Sequence, residues 1–423
     1  MFVTIYYRSS RCRTGIIMLL ICILLLGRPA LAAETLSLDQ AIQLTLQNNP
    51  TLHQFTFKDT ILEAQKQTNS LRPGFEVSAE LENVAGSGGT NGLDAAESTI
   101  ALSSVLELGG KRQARMSLAD SRIEQFRWEQ QAATLDVLGN LTTAFIEGLT
   151  FQANMELARE SLNLSQSLLK TVQSRSAKGA TPEAEVKRAK AALVRAELQL
   201  AASVSQFERQ KVTLAQFWGV SDPAFTTLSG TLFQYREAEK FDQLFARIQS
   251  SPSLQVFLTE TRVQEANLTL AKANARSDLT WQVGVRRLEE SSDTAFVAGI
   301  SVPLFSGRRN QGDVRAAEAQ RDSAATAEKA ALLRLHSELF QAFTLRAQSI
   351  DAVSRIKGTA IPALESALEL TQRAYRNGRY RYQDLIAAQQ ELLMAKQSLI
   401  ESASTALISQ AVIEELTGQA LNP

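Results

Sequence analysis

The chain has 423 residues, with 44 Lys and Arg against 44 Asp and Glu, two Cys and two His. Without a net positive charge it lacks the electrostatic footprint of a nucleic-acid binder. So few Cys and His exclude a thiolate- or histidine-rich metal centre.

Residues 1–33 read as a secretory signal peptide. Arg8, Arg11 and Arg13 form a basic segment, Ile16 to Leu26 is apolar, and Pro29-Ala30-Leu31-Ala32-Ala33 supplies small residues for cleavage near Ala32/Ala33. The apolar run of about 11 residues is short of the roughly 20 that a spanning helix needs. Removal of this segment takes four arginines and both cysteines, Cys12 and Cys22, leaving a net charge of about −4. The mature chain then has no disulfide and no N-terminal Cys to carry a lipid anchor. No later apolar run suits a spanning helix, so a mature protein that crosses a membrane does so as strands.

The rest divides into two similar halves at an offset of about 200. Asn49-Pro50 corresponds to Ser251-Pro252, SVLELGGKR (Ser104–Arg112) to SVPLFSGRR (Ser301–Arg309), AKGATPEAEV (Ala177–Val186) to RNGRYRYQDL (Arg376–Leu385), and Trp218-Gly219 to Thr417-Gly418. We place the first repeat at 34–219, a connecting segment at 220–245, the second repeat at 246–418 and a tail at 419–423.

Each half begins with a helix, the first from about Pro50 to Leu71. In Phe75–Glu82, Phe75, Val77, Ala79 and Leu81 alternate with Glu76, Ser78, Glu80 and Glu82, the pattern of a strand with one apolar and one wet face. A Gly-rich loop, Val84–Glu97, leads to a second strand at Ser98–Leu108. In the second half the strands fall at about 279–287 and 295–305 with a turn at Leu288–Thr294. A proline-free stretch from Lys111 to Lys178 predicts a helix of about 68 residues, roughly 100 Å long. Its counterpart, Arg308 to Asn377, contains Pro362, which predicts a kink or local break. Turns at Gly179 and Gly378 reverse the chain into return helices, about Pro182–Trp218 and Tyr382–Leu416. These carry matching seams, Val186, Ala189, Leu193, Ala196, Leu200 and Leu385, Ala388, Leu392, Ala395, Leu399, at coiled-coil spacing. The first helix and the return helix of each half together match the long helix in length. Stacked end to end, they predict a rod. The fold class is mainly α with a small β part: duplicated long helical hairpins plus two β-hairpins.

Strands of about ten residues suit a tilted membrane-crossing sheet, but four cannot close, and open edges are not tolerated in lipid. Three copies would give a 12-stranded barrel. These features resemble the TolC family of outer-membrane efflux proteins over Leu36 to Gly418. ELGGKR (Glu107–Arg112) and VPLFSGRRNQG (Val302–Gly312) resemble its CzcC-like branch, which serves resistance-nodulation-division pumps exporting divalent metal ions. The resemblance implies a homotrimer, a barrel in outer-membrane lipid and a periplasmic helical tunnel. It also implies a periplasmic membrane-fusion adaptor at the tunnel tip and an inner-membrane resistance-nodulation-division pump.

It further implies roles at the tip turns, Ala177–Glu183 and Arg376–Tyr382. Asp384, six residues after Gly378, matches a constriction acid, and three copies would form a ring. Without the resemblance, Asp384 is simply an acid in the first turn of a helix. The place of a second family acid is held by Ala387. Glu185 is the first-half counterpart, and Tyr375 matches a residue that ties the tips shut, so a Tyr375–Glu185 hydrogen bond is expected. Gly179, Thr181 and Gly378 shape the turns, and Arg376, Arg379 and Arg381 are candidates for adaptor docking. The asymmetry of the turns suggests that the second half lines the gate while the first braces it.

No catalytic or cofactor motif appears. His53 and His336 lack metal-ligand spacing and read as packing or surface residues. Met116, Met155 and Met394 form no thioether cluster in sequence. Gly109-Gly110-Lys111 reads as a strand-to-helix turn. Two readings stand beside the metal duct: a duct for drugs or secreted proteins, and a pore-free periplasmic coiled-coil scaffold, which would have no use for two hairpins.

Overall fold

The computed structural model describes residues 35–237 and 239–419; the signal peptide and both cysteines lie outside them. Strand β1 (Thr35–Ser37) leads into helix α1 (Leu38–Asn48), where Ser37 and Gln40 form a reciprocal capping box. Helix α2 (Pro50–Asn69) starts with proline at its first turn, where the missing N–H costs nothing. The hairpin β2 (Phe75–Glu82) and β3 (Glu97–Leu106) follows, then the 67-residue helix α3 (Lys111–Ala177). Gly109 and Gly110 make the turn between β3 and α3, both with φ of 76°. Helix α4 (Glu183–Gln216) returns, and β4 (Thr227–Ser229) pairs in parallel with β1.

The second half repeats the order. After helix α5 (Phe241–Ile248) come α6 (Pro252–Asn274), the hairpin β5 (Leu279–Leu288) and β6 (Asp293–Ser301), then α7 (Gln311–Arg355), α8 (Ile361–Arg376) and α9 (Tyr382–Thr417). The long second-half helix starts later than its sequence suggests. Phe305 takes a left-handed φ of 62°, and Ser306–Arg309 forms a separate single turn before Gln311. At Pro362 the chain does not break. Ile356–Ala360 widens into a π turn between α7 and α8. A proline ring collides with the carbonyl four residues back, here that of Gly358, and a wider turn relieves the collision while the backbone stays helical.

The two hairpins join into one antiparallel sheet of order β2-β3-β5-β6. Sequence alternation gave the hairpins but not the pairing of β3 with β5, which aligns Ile100 with Val285 and Leu102 with Val283. One face therefore carries Val77, Leu102 and Val283 in one row and Ile100, Val285 and Phe296 in the next. Among the described residues nothing covers this face: Phe296 is 93% exposed and Ile300 74%. The opposite face is polar, and there Arg286 reaches Glu97 at 2.7 Å, Glu82 at 3.2 Å and the Thr99 hydroxyl at 3.0 Å.

The helices lie side by side as a ribbon. Helices α2 and α4 pack on one flank of α3, α6 and α9 on the other, and α7 and α8 lie beyond α6 and α9. The ribbon and the sheet thus share their edges: α2, α4 and β2 on one side, β6, α7 and α8 on the other. Helix α2 buries none of its 20 residues. Both seams pack as their spacing implies, with Ala189, Ala196, Leu385 and Leu392 buried and the other six half-buried.

The end-to-end stacking expected from helix lengths is visible at both junctions. Asn49 caps α2 by accepting from the Thr51 and Leu52 N–H groups, and its amide donates to the Phe217 carbonyl at 2.7 Å, beside the end of α4. Gly219, at φ 74°, closes α4 in the left-handed region against Asn48 and Pro50, and Gly418, at φ 67°, closes α9 against Pro252. A side chain there adds left-handed strain, so Gly219→Ala should cost about 1–2 kcal/mol. Thermal unfolding checks this; an unchanged unfolding temperature would show that the junction relaxes.

The main core lies midway along the rod, around Leu141, Phe145, Ile146, Leu214, Trp218 and Leu228. Nearby, the adjacent acids Glu414 and Glu415 sit in opposite settings. Glu414, 1% exposed, accepts from Arg236 at 3.1 Å and from Gln410 at 2.7 Å. Glu415 rests against Gly139, where any Cβ would collide with its carboxylate, and has Asp136 and Glu338 for neighbours.

Candidate functional site at the helical tips

Two turns meet at the end of the rod farthest from the sheet. In each, a glycine enters the left-handed region, Gly179 at φ 69° and Gly378 at φ 74°. The N–H of the next residue then bonds back to a carbonyl inside the helix: Ala180 to Arg175 and Arg379 to Ala374, both at 2.9 Å. The repeat thus holds down to individual hydrogen bonds.

Tyr375, at the end of α8, is 1% exposed and packs with Leu168, Val172, Tyr382 and Leu385. Its hydroxyl donates to the Glu185 carboxylate at 3.2 Å. Burial, above all, pushes the Tyr375 phenol above its ordinary pKa, so it keeps the proton it donates. The geometry thus contains the bond expected between the two halves. Asp384 is exposed and accepts from the Arg381 N–H at 2.8 Å, capping α9. Within one chain its place is therefore that of a first-turn helix cap. Arg376, Arg379 and Arg381 are exposed, and among the described residues none of their side chains forms an ion pair. Thr181 accepts a long hydrogen bond, 3.4 Å, from Arg175.

Arg175 is the tip residue that the sequence did not reveal. Its guanidinium donates to the carbonyls of Tyr375, Arg376 (2.9 Å) and Ala180 (3.2 Å) and lies 4.7 Å from the centre of the Tyr375 ring. Three of its acceptors are backbone atoms, two of them about 200 residues away, and no side-chain pattern marks such partners.

The two histidines are far from the tip. The His53 ring bonds the Gln47 carbonyl at 2.9 Å, and His336 stacks edge-on against Phe241 and Phe245. Among the described residues no group of three or more His, Cys, Asp or Glu could hold a metal ion, and no helix is long and apolar enough to cross a membrane.

The family model for "outer membrane efflux protein" matches residues 41–220 and again 246–419, once on each half. The chain belongs to the outer membrane efflux protein family. That family is one of efflux channels, not of enzymes. Its similar members include the cobalt-zinc-cadmium resistance protein CzcC of Cupriavidus metallidurans, 25% identical over 71% of this chain and 72% of that protein. The pyoverdine export outer membrane protein OpmQ of Pseudomonas putida is 22% identical over 68% of this chain and 63% of its own length. The nickel-cobalt-cadmium resistance protein NccC of Alcaligenes xylosoxydans is 26% identical over 60% of this chain and 58% of its own length. Among solved structures, CusC aligns with a TM-score of 0.77 at 16% identity, covering 90% of this chain and 92% of that one. The Vibrio cholerae outer membrane protein VceC aligns at 0.73 and 19% identity, covering 91% of this chain and 97% of that one. The duplicated fold of this outer membrane efflux protein is therefore the fold of those channels.

Proposed function

We propose that three copies of this chain form a passive exit duct through the outer membrane, opened at its periplasmic tip by an adaptor and an inner-membrane pump. The observation that carries the reading is the four-stranded sheet with one bare apolar face and an open outer edge on each of β2 and β6. In hydrocarbon those edges need partners, and another copy supplies them, β6 against β2, closing a ring of twelve strands. The helical edges support the same contact: Phe57 on α2 is 70% exposed, Leu198 on α4 66% and Leu333 on α7 73%. The apolar face then meets lipid, and the Arg286 face lines the lumen. A pore-free scaffold leaves the bare face unexplained. The expected result is a heat-modifiable trimer in the outer-membrane fraction; a monomer in the periplasmic fraction would exclude the duct.

The cargo we propose is divalent metal ions, supported by the likeness to CzcC and NccC. Three Asp384 carboxylates at a narrow mouth would draw cations and repel anions. A strain lacking the gene should become sensitive to zinc, cobalt and cadmium while keeping its tolerance of dyes and antibiotics. The reverse pattern would assign an organic cargo, the direction in which the likeness to OpmQ points. At the gate, Tyr375→Phe removes the hydroxyl that Glu185 accepts from, and should raise the resting conductance of purified trimers in planar bilayers. An unchanged conductance would remove Tyr375 from the gate.

A further inference from the structure

We propose that Arg175 is the positioning residue that clamps the two tip turns of one protomer together and so holds the periplasmic end of the duct closed; this rests on the duct reading above. The guanidinium makes four hydrogen bonds, two across the seam between the halves and two within its own turn. One nitrogen serves the carbonyls of Tyr375 and Arg376, the second the Ala180 carbonyl, and Nε the Thr181 hydroxyl. The first two acceptors are among the last carbonyls of α8, which have no partner inside that helix and carry its negative dipole end. The Tyr375 carbonyl also accepts from the Gly378 N–H at 3.0 Å, so the cation adds a second bond there, bonds the Arg376 carbonyl and offsets the helix charge together. Its plane also covers the Tyr375 ring at 4.7 Å. Tyr375 is thereby held between Arg175 on its face and Glu185 at its hydroxyl, so the Tyr375–Glu185 bond depends on where Arg175 places the ring.

Widening a ring of six tip turns requires neighbouring turns to part, and in the trimer half of those seams lie within a protomer. Arg175 spans each of them. Because its main acceptors are backbone carbonyls, no side-chain change in the second turn can release it. Lysine, a point charge on a flexible stem, cannot reproduce the planar fork.

The test is planar-bilayer conductance of purified trimers carrying R175Q, R175K, Y375F and the R175Q/Y375F pair, with trimer heat-modifiability recorded for each. R175Q should raise the resting conductance several-fold and R175K by less, with both trimers intact. The pair should add little to R175Q alone, because the hydrogen bond is already lost when the ring is released. Conducting R175Q and R175K trimers that match the wild type, while Y375F exceeds it, overturn the clamp and leave the duct standing. Additive effects in the pair overturn the dependence of Tyr375 on Arg175. Intact trimers without conductance in any form overturn the duct, and the clamp with it.

Discussion

Replacing Glu414 with Ala should destabilise the protein by about 3–5 kcal/mol, the largest loss expected from any single charge in the chain. The carboxylate is 1% exposed and receives Arg236 and Gln410. Beside it Arg346, 6% exposed, donates to the Arg236 carbonyl at 2.6 Å. Burial acts against the charge of Arg346, and Glu414 is what opposes that effect. Truncation therefore leaves a buried guanidinium without its counter-charge and removes the acceptor that Arg236 and Gln410 share. A lowering of the unfolding temperature by several degrees is the expected readout. As a control, Lys187→Ala, which breaks only the exposed pair with Glu183, should leave it unmoved. Equal effects from the two changes would mean that the mid-rod charges are hydrated rather than buried.

One residue further on, the sign reverses. Burial first, then the neighbouring Asp136 and Glu338, push the Glu415 carboxyl from its ordinary 4.5 up to about 7. The folded state then holds this proton more tightly than the unfolded chain does. The associated stability is complete below about pH 4.5, declines as pH rises through about 7, and is flat above. Glu415→Gln keeps the shape without the charge, so it should stabilise the protein at pH 8 by roughly 2–3 kcal/mol and change little at pH 5. Unfolding temperatures of both proteins across pH 5–8 decide the matter: converging curves at low pH support it, and parallel curves reject it.

Neither effect is visible in the sequence, where Glu414-Glu415 reads no differently from the pair Glu289-Glu290. The features that were legible have short periods or are duplicated. The strands showed in the alternation from Phe75 to Glu82, and the seams in two sets of five residues. The tip turns showed in Gly179 and Gly378, because a reversal needs a residue at ease with positive φ. What escaped depends on contacts between distant segments. The pairing of β3 with β5 joins strands separated by the four helices α3 to α6. Arg175 finds backbone carbonyls in the other half. Pro362 announced a disturbance, but a proline allows a kink, a break or a widened turn, and the sequence did not say that it would be a π turn reaching back to Ile356. Asp384 shows the same limit: position alone allowed either a pore acid or a helix cap, and within one chain the Arg381 N–H makes it a cap.

The two edges of each protomer are different surfaces, so in the proposed ring every subunit both offers one and fills one. This has a genetic consequence. A cell expressing equal amounts of sound and defective chains assembles only about one ring in eight from sound chains alone. A subunit that pairs normally but cannot part its tips would therefore impair most ducts in the presence of a normal gene copy. A chain that cannot pair at all would be recessive. Dominance in a partial diploid thus sorts tip defects from edge defects without purification of the protein.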